Sequence, residues 1–447
     1  MNRRKILKKI FIIILTINPV NNFISGQGTS GKNVAFPSDS LTLEEIISQA
    51  ISNHPTVMMA REAINSANVR ISLAKTGYYP EVDVNANYSN LGPVTKLTIP
   101  DLGSFQLFPG NNYSASINYR QVIYDFGRTR QNIEIESENK VIGEQALEQA
   151  KQKLSLLAVN NFYTLLFLQS AIRIKEEQLS ALDEHLAAIE KKMATGSATE
   201  YQVLSTKVRI SAVESQKVDL EAALTAQQAF LNSLTGNEHV STPVVKAGLG
   251  ADLPLLPSDS LRAYAMRNRD EVKLDRERYT LAELRYGMLK LQNKPLVSLM
   301  ATGGAKNGYI PYLGELKPNY VVGLGVRIPV FDGNKNKYNL LQAQSAITSL
   351  SYQSDYTKRV VSNELAEAVA YLTAAKKKVA QYDLQLDQAL KAYSLAVTSF
   401  NTGAITNLDL LDSSTALSES RLMMLKSQID YEASVYKLKA ALGERIY

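Results

Sequence analysis

Most of this chain places apolar residues at helical spacing, and in four short runs the period drops to two. In Glu81-Val82-Asp83-Val84-Asn85-Ala86-Asn87-Tyr88-Ser89, apolar and polar side chains alternate strictly, as on a strand with one wet face. Tyr113-Ser114-Ala115-Ser116-Ile117-Asn118-Tyr119-Arg120 does the same after a Gly- and Pro-bearing loop, Gly92–Gly110. From Arg128 to Ala194 there is no proline and Gly143 is the only glycine. That stretch predicts a helix of about 67 residues, a rod of roughly 100 Å. Within it Leu179, Leu182, Leu186, Ile189 and Met193 keep the 3-4 rhythm of a coiled-coil seam. Past the rod, Val203, Ile210, Leu224 and Leu231 share one seven-residue track that only Lys217 interrupts.

The helical stretches turn at two related phrases, Ala194-Thr195-Gly196-Ser197-Ala198-Thr199 and Asn401-Thr402-Gly403-Ala404-Ile405-Thr406. Glycine suits the left-handed residue that ends a helix, and the Thr beyond it suits the cap of the next. Each phrase predicts the tip of a helical hairpin. The chain as a whole repeats. Asn53 and Pro80 recur as Asn268 and Pro295, 215 residues on. Asp125, Gly196, Leu204 and Gly236 recur as Asp332, Gly403, Leu411 and Gly443, 207 residues on. Strand phase is kept, since Val82 and Val84 match Val297 and Leu299, and Tyr113, Ile117 and Tyr119 match Tyr320, Leu324 and Val326. The track also returns as Leu410, Leu417, Met424, Tyr431 and Leu438. A constant offset across turns, caps and both periods reads as an internal duplication.

The expected organisation is therefore mainly α with a β part, in two tandem repeats. Residues 1–26 read as a secretory signal, a basic start followed by the apolar run Ile10–Ile17. Residues 27–236 form the first repeat, with strands near 81–91 and 112–124 and a helical hairpin over 128–236. A linker, 237–257, precedes the second repeat, 258–447, with strands near 296–306 and 319–331 and a hairpin over 335–443. After the signal, no stretch reads as apolar enough for a spanning helix.

Charge and composition narrow the function. Five of the formal +6 charges are Arg3, Arg4, Lys5, Lys8 and Lys9, so the remainder is nearly neutral and no nucleic-acid partner is expected. Cysteine is absent, which removes disulfides, thiolate sites and the acylated residue of a lipoprotein anchor. His54, His185 and His239 have no ligand spacing, and no nucleophile–base set appears, so neither a metal, a cofactor nor catalysis is expected. The strands suit a membrane barrel, with Val82, Val84, Ala86 and Tyr88 toward lipid and Glu81, Asp83, Asn85 and Asn87 toward water. Tyr78, Tyr79, Tyr113 and Tyr320 would anchor at the interfaces. Four strands cannot close a barrel, so identical chains must share one, and pattern alone leaves a dimer of eight strands open. The competing reading is an exported helical scaffold or adhesin whose strands form a soluble cap.

The strand-to-rod joins Val122-Ile123-Tyr124-Asp125-Phe126-Gly127-Arg128 and Pro329-Val330-Phe331-Asp332-Gly333-Asn334-Lys335 also repeat, each with an Asp placed to cap the helix that follows. With the tip Thr402-Gly403-Ala404-Ile405-Thr406-Asn407-Leu408-Asp409-Leu410-Leu411-Asp412, they make the chain resemble the outer-membrane efflux proteins, the TolC-like family. The resemblance spans essentially the whole mature chain. It implies a homotrimer whose twelve strands close a barrel in the outer membrane above a periplasmic tunnel of helices. It also implies an equatorial region from 27–52, 237–267 and the C-terminal residues. The duct would be passive, working with a periplasmic adaptor and an inner-membrane pump of the RND or ABC type.

By the same resemblance, the tips Thr195, Gly196, Ser197, Thr402, Gly403 and Ala404 would meet the adaptor. Asp409 and Asp412 would ring the periplasmic entrance and favour cations. The alternative is that these acids complement the helix dipole. Gln202 and Ser205 stand at the matching places in the first copy, which favours the ring. Some family members hold the entrance shut with a tyrosine and an arginine where this chain has Phe400 and Ile405. The expectation here is an apolar closure by Phe400, Ile405 and Leu408, against ordinary hairpin packing. Arg120 and Arg327 fall at equivalent strand phases and would face the barrel lumen.

Overall fold

The computed structural model describes residues 41–100, 103–236 and 258–447. The expected secretory signal and the linker 237–257 lie outside the described residues, as does 27–40 of the expected equatorial region.

Both repeats are built from the same parts. The first has α1 (Leu43–Asn53), α2 (Pro55–Lys75), strands β1 (Glu81–Asn90), β2 (Lys96–Ile99), β3 (Gly103–Gln106) and β4 (Asn111–Tyr124), then α3 (Arg128–Ala194) and α4 (Glu200–Thr235). The second has α5 (Ser258–Asn268), α6 (Asp270–Leu291), β5 (Leu296–Lys306), β6 (Lys317–Arg327), α7 (Lys335–Asn401) and α8 (Asn407–Leu442). Helices α3 and α7 are both 67 residues long, and α4 and α8 are both 36.

The duplication extends to the interior. Leu154, Ala158, Leu165 and Leu231 are buried around Ile46 and Ala50 of α1. Val361, Leu365, Leu372 and Leu438, each 207 residues on, are buried around Leu261 and Ala265 of α5, each 215 residues on. Burying each leucine, isoleucine or valine among them contributes about 1.5–3 kcal/mol, so two equivalent cores fix α1 and α5 against the middle of the rods. Of the seam residues, Leu182, Ile189, Val203, Leu410, Leu417 and Leu438 are buried, Leu179, Leu186, Ile210 and Leu224 are half-buried, and Met193, next to the tip, is exposed. Lys217, the interruption, turns outward to Glu176 of α3 at 2.8 Å.

Three expectations need correction. The loop Gly92–Gly110 contains a two-stranded ribbon, β2 with β3, in which Leu97 pairs with Phe105 and Thr98 with Ser104. Its strands are only four residues each, too short for period to reveal. The last strand ends at Arg327 rather than near 331, because Pro329 has no N–H to give a ladder. One helix, α3, does carry a stretch apolar enough to cross a membrane. Its apolar residues Leu154, Ala158, Phe162, Leu165 and Leu168 are buried, so core packing accounts for them.

The joins turn by consecutive left-handed residues, Phe126 and Gly127 in one copy and Gly333 and Asn334 in the other. For Phe126 that conformation costs roughly 1–2 kcal/mol. It is held by the Asp125 carboxylate, which accepts from Gly127 N at 2.9 Å, Thr129 N at 2.7 Å and Thr129 Oγ1 at 2.6 Å. Burial pushes the Asp125 carboxyl up, but these hydrogen bonds outweigh it and the net shift is downward. Asp332 accepts from Asn336 N at 2.9 Å in the equivalent place.

Helices α4 and α8 end at Gly236 and Gly443, with φ of +75° and +78°. A Cβ on Gly443 would lie 2.7 Å from the backbone of Asn268 and Arg269, whereas one on Gly236 would meet only Asn53 Cβ at 3.4 Å. Gly236→Ala should therefore cost about 1–2 kcal/mol from its φ alone. Gly443→Ala should cost more, and urea unfolding in detergent should rank it below Gly236→Ala, with wild type highest.

Candidate functional site

Two regions carry the sequence-predicted residues, the faces of the four-stranded sheet and the hairpin tips. The sheet is antiparallel with order β1-β4-β5-β6, so β4 and β5 join the two repeats and β1 and β6 are left as edges. Direct partners in an antiparallel pair point to the same side. Val82, Val84, Ala86 and Tyr88 pair with Tyr119, Ile117, Ala115 and Tyr113. On β5 and β6 the same face continues through Val297 with Val326, Leu299 with Leu324, Ala301 with Val322 and Gly303 with Tyr320. It is an apolar face, and none of the described residues covers it: Val84, Leu324 and Tyr320 are 73%, 72% and 83% exposed.

The other face is polar in its first two strands. Glu81 pairs with Arg120, and Asp83 with Asn118. Asn118 Nδ2 donates to Asp83 Oδ2 at 2.9 Å, and Thr302 Oγ1 donates to Asn118 Oδ1 at 3.0 Å, a polar rung across three strands. Arg327 pairs with Leu296 in the same phase, so Arg120 and Arg327 do share this face. The residues expected to face lipid and those expected to face water thus separate cleanly on β1 and β4. On β6 this face is sparser, with Gly323 and Gly325 in place of polar side chains.

At the tips, Gly196 and Gly403 are left-handed, with φ of +76° and +78°, and Thr195, Ser197, Thr402 and Ala404 are exposed beside them. Thr199 and Thr406 cap α4 and α8, each within a capping box. The reciprocal partner is Gln202 in the first and Asp409 in the second. Asp409 accepts from Thr406 N at 2.9 Å and from Thr406 Oγ1 at 2.6 Å, which holds its carboxyl below the ordinary carboxylate range. The difference between the copies at this place is therefore a choice between two capping side chains, and it lends the ring no support. Asp412 accepts from Arg209 Nη2 of α4 at 2.9 Å. Phe400 packs edge-on against His185 with centroids 5.0 Å apart, and Lys192 Nζ lies 4.6 Å from its ring centre. Ile405 is half-buried, and Leu408 stands exposed.

What sequence reasoning missed is the polar knot behind the tips. Asn407 is buried, and its Nδ2 donates to Gln202 O, Ser205 Oγ and Thr206 Oγ1 at 3.2–3.3 Å. Its Oδ1 is left to accept from the Nε2–H of His185 at 2.7 Å. Burial lowers the His185 pKa, the Asn407 hydrogen bond opposes that shift and the Lys192 charge adds to it, so the ring is neutral near pH 7. One asparagine thus ties α8 to both helices of the other hairpin. Arg421 to Glu177 at 2.9 Å adds a further tie between α8 and α3. The available signal was a polar residue three positions before Leu410, on the apolar stripe of α8.

The family model described as outer membrane efflux protein matches residues 46–237 and 295–444. Outer membrane efflux protein BepC of Brucella suis is 20% identical over 408 residues, covering 90% of this chain and 85% of that one. Proteases secretion protein PrtF of Dickeya chrysanthemi is 22% identical over 386 residues, covering 81% and 79%. The crystal structure of the outer membrane protein VceC from Vibrio cholerae superposes with a TM-score of 0.74 at 19% identity, covering 91% of this chain and 97% of that one.

Asn407→Leu should leave the buried Nε2–H of His185 without its acceptor, at a cost of about 1–3 kcal/mol, while Thr206 keeps its bond to Gln202 O. Limited proteolysis should then cut faster at the turns 195–199 and 402–406. Ser197→Ala, which touches none of this, should digest like wild type.

Proposed function

The chain belongs to the outer membrane efflux protein family, and from that premise we propose that it is the outer-membrane exit duct of a tripartite export system. The single observation that carries the reading is the uncovered apolar face of a four-stranded sheet whose two edges are unpaired. Water penalises that face at about 25 cal/mol per Å², and lipid does not. Lipid in turn does not tolerate unpaired strand edges. Strands of 10–14 residues in β1 and β4 and 11 in β5 and β6 are long enough to cross a bilayer when tilted. Three copies supply twelve strands, with β1 of one copy against β6 of the next. An exported scaffold or adhesin would leave the same face in water, and no observation favours it.

Substrate moves passively in this reading, delivered by a periplasmic adaptor and an inner-membrane pump. The curated relatives divide between efflux and protease secretion by name, and cargo choice belongs to pump and adaptor. The exposed tips Thr195, Gly196, Ser197, Thr402, Gly403 and Ala404 would be the adaptor's contact. Asp409 and Asp412 would line the entrance while also capping α8 and pairing with Arg209. Phe400 and Ile405 would narrow the entrance behind the exposed Leu408. Arg120 and Arg327 would give the lumen a basic band near the helical end of the barrel.

Purified protein in planar bilayers should conduct ions, and a protein that never conducts would refute the duct. Asp409→Asn with Asp412→Asn should reduce cation preference in single-channel records, and unchanged selectivity would reject the entrance assignment. Hydrogen bonds depress the Asp409 pKa, so its charge and its cap should persist as the solution is acidified. The contribution of Asp409 to cation preference should fade only below the ordinary aspartate range.

A further inference from the structure

Helices α3 and α6 run antiparallel where the two repeats meet. Arg128 Nε donates to Leu291 O at 2.9 Å, and Gln131 Nε2 donates to Leu284 O at 2.9 Å. Two turns along α3 from Gln131 stands Glu138, and two turns back along α6 from Leu284 stands Glu277. Register alone places these two acids opposite each other. Glu138 Oε1 is buried and meets no donor.

Several cations on α2, α3 and α6 have acid partners of their own. Arg70 of α2 is held by Glu136 at 3.1 Å, and Lys140 of α3 lies 3.6 Å from Glu144. On α6, Arg278 lies 3.8 Å from Asp275 and Lys273 lies 3.9 Å from Asp270, while Arg276 is exposed. Among the described residues, no base meets the buried Oε1 of Glu138. Its buried oxygen gains a donor only if one of the two carboxyls keeps a proton.

We propose that Glu138 and Glu277 share one proton across the α3–α6 seam, which makes that seam a pH-sensitive joint between the repeats. Burial, the hydrogen bond to Glu277 and the Glu277 charge together push the Glu138 carboxyl up to about 7. The stability this raised group contributes is full below its unfolded value near 4.5 and is lost as pH rises toward about 7. The joint has a lever to act on, since α3 leaves β4 and α6 enters β5, the two strands that pair between repeats. Neutral or alkaline solution would loosen the helical wall directly beneath that strand pair. The inference is independent of the duct reading.

The test is infrared spectroscopy of the full-length protein in detergent across neutral pH. Wild type should show a protonated-carboxyl carbonyl band that titrates away around pH 7. Glu138→Gln and Glu277→Gln should each abolish it. The melting temperature of wild type should fall over the same pH range, while both variants stay level. No neutral-range band, or a band that survives both substitutions, would overturn the proposal. A melting curve as pH-dependent in the variants as in wild type would do the same.

Discussion

An unpaired backbone amide or carbonyl costs several kcal/mol in hydrocarbon, and that penalty organises everything above the helical rods. The sheet has an apolar face suited to lipid and two edges that lipid forbids. A soluble protein would resolve this by covering the face with a helix. Here the two 67-residue helices, α3 and α7, leave the sheet at left-handed joins and pack against other helices instead. In the proposed duct, lipid takes the face and further copies of the same chain pair the edges.

Duplication makes the arrangement economical in parts. Each repeat supplies one strand pair, one long rod and one short returning helix, and each closes its own core around a short helix at mid-rod. The repeats then differ where chemistry differs. Gln202 and Asp409 perform the same cap, yet only Asp409 adds a charge at the tip. Asn407 stands where the first copy has the exposed Glu200, and it is the copy that turns inward to bind the other hairpin.

Features with a period or a fixed offset were legible in the sequence. The rods, the tips, the strand phases and the duplication all leave repeated marks, and Asp125 announces its cap by standing just before a long helical run. The β2–β3 ribbon was hidden because four-residue strands carry too little alternation to separate from a loop. The apolar stretch of α3 was passed over because its polar neighbours dilute it, and burial rather than lipid explains it. The Asn407 knot was hidden for a different reason. His185, Thr206 and Asn407 are meaningful only once two hairpins are brought side by side, and no spacing within one helix encodes that. The Glu138–Glu277 pair is of the same kind, visible from register but not from either helix alone.

The account depends most on the claim that one chain cannot complete its own barrel. Mass measurement of the detergent-extracted protein tests it most directly. Three chains per particle, obtained only with detergent, is the predicted result. A monomer that stays in solution without detergent would contradict it.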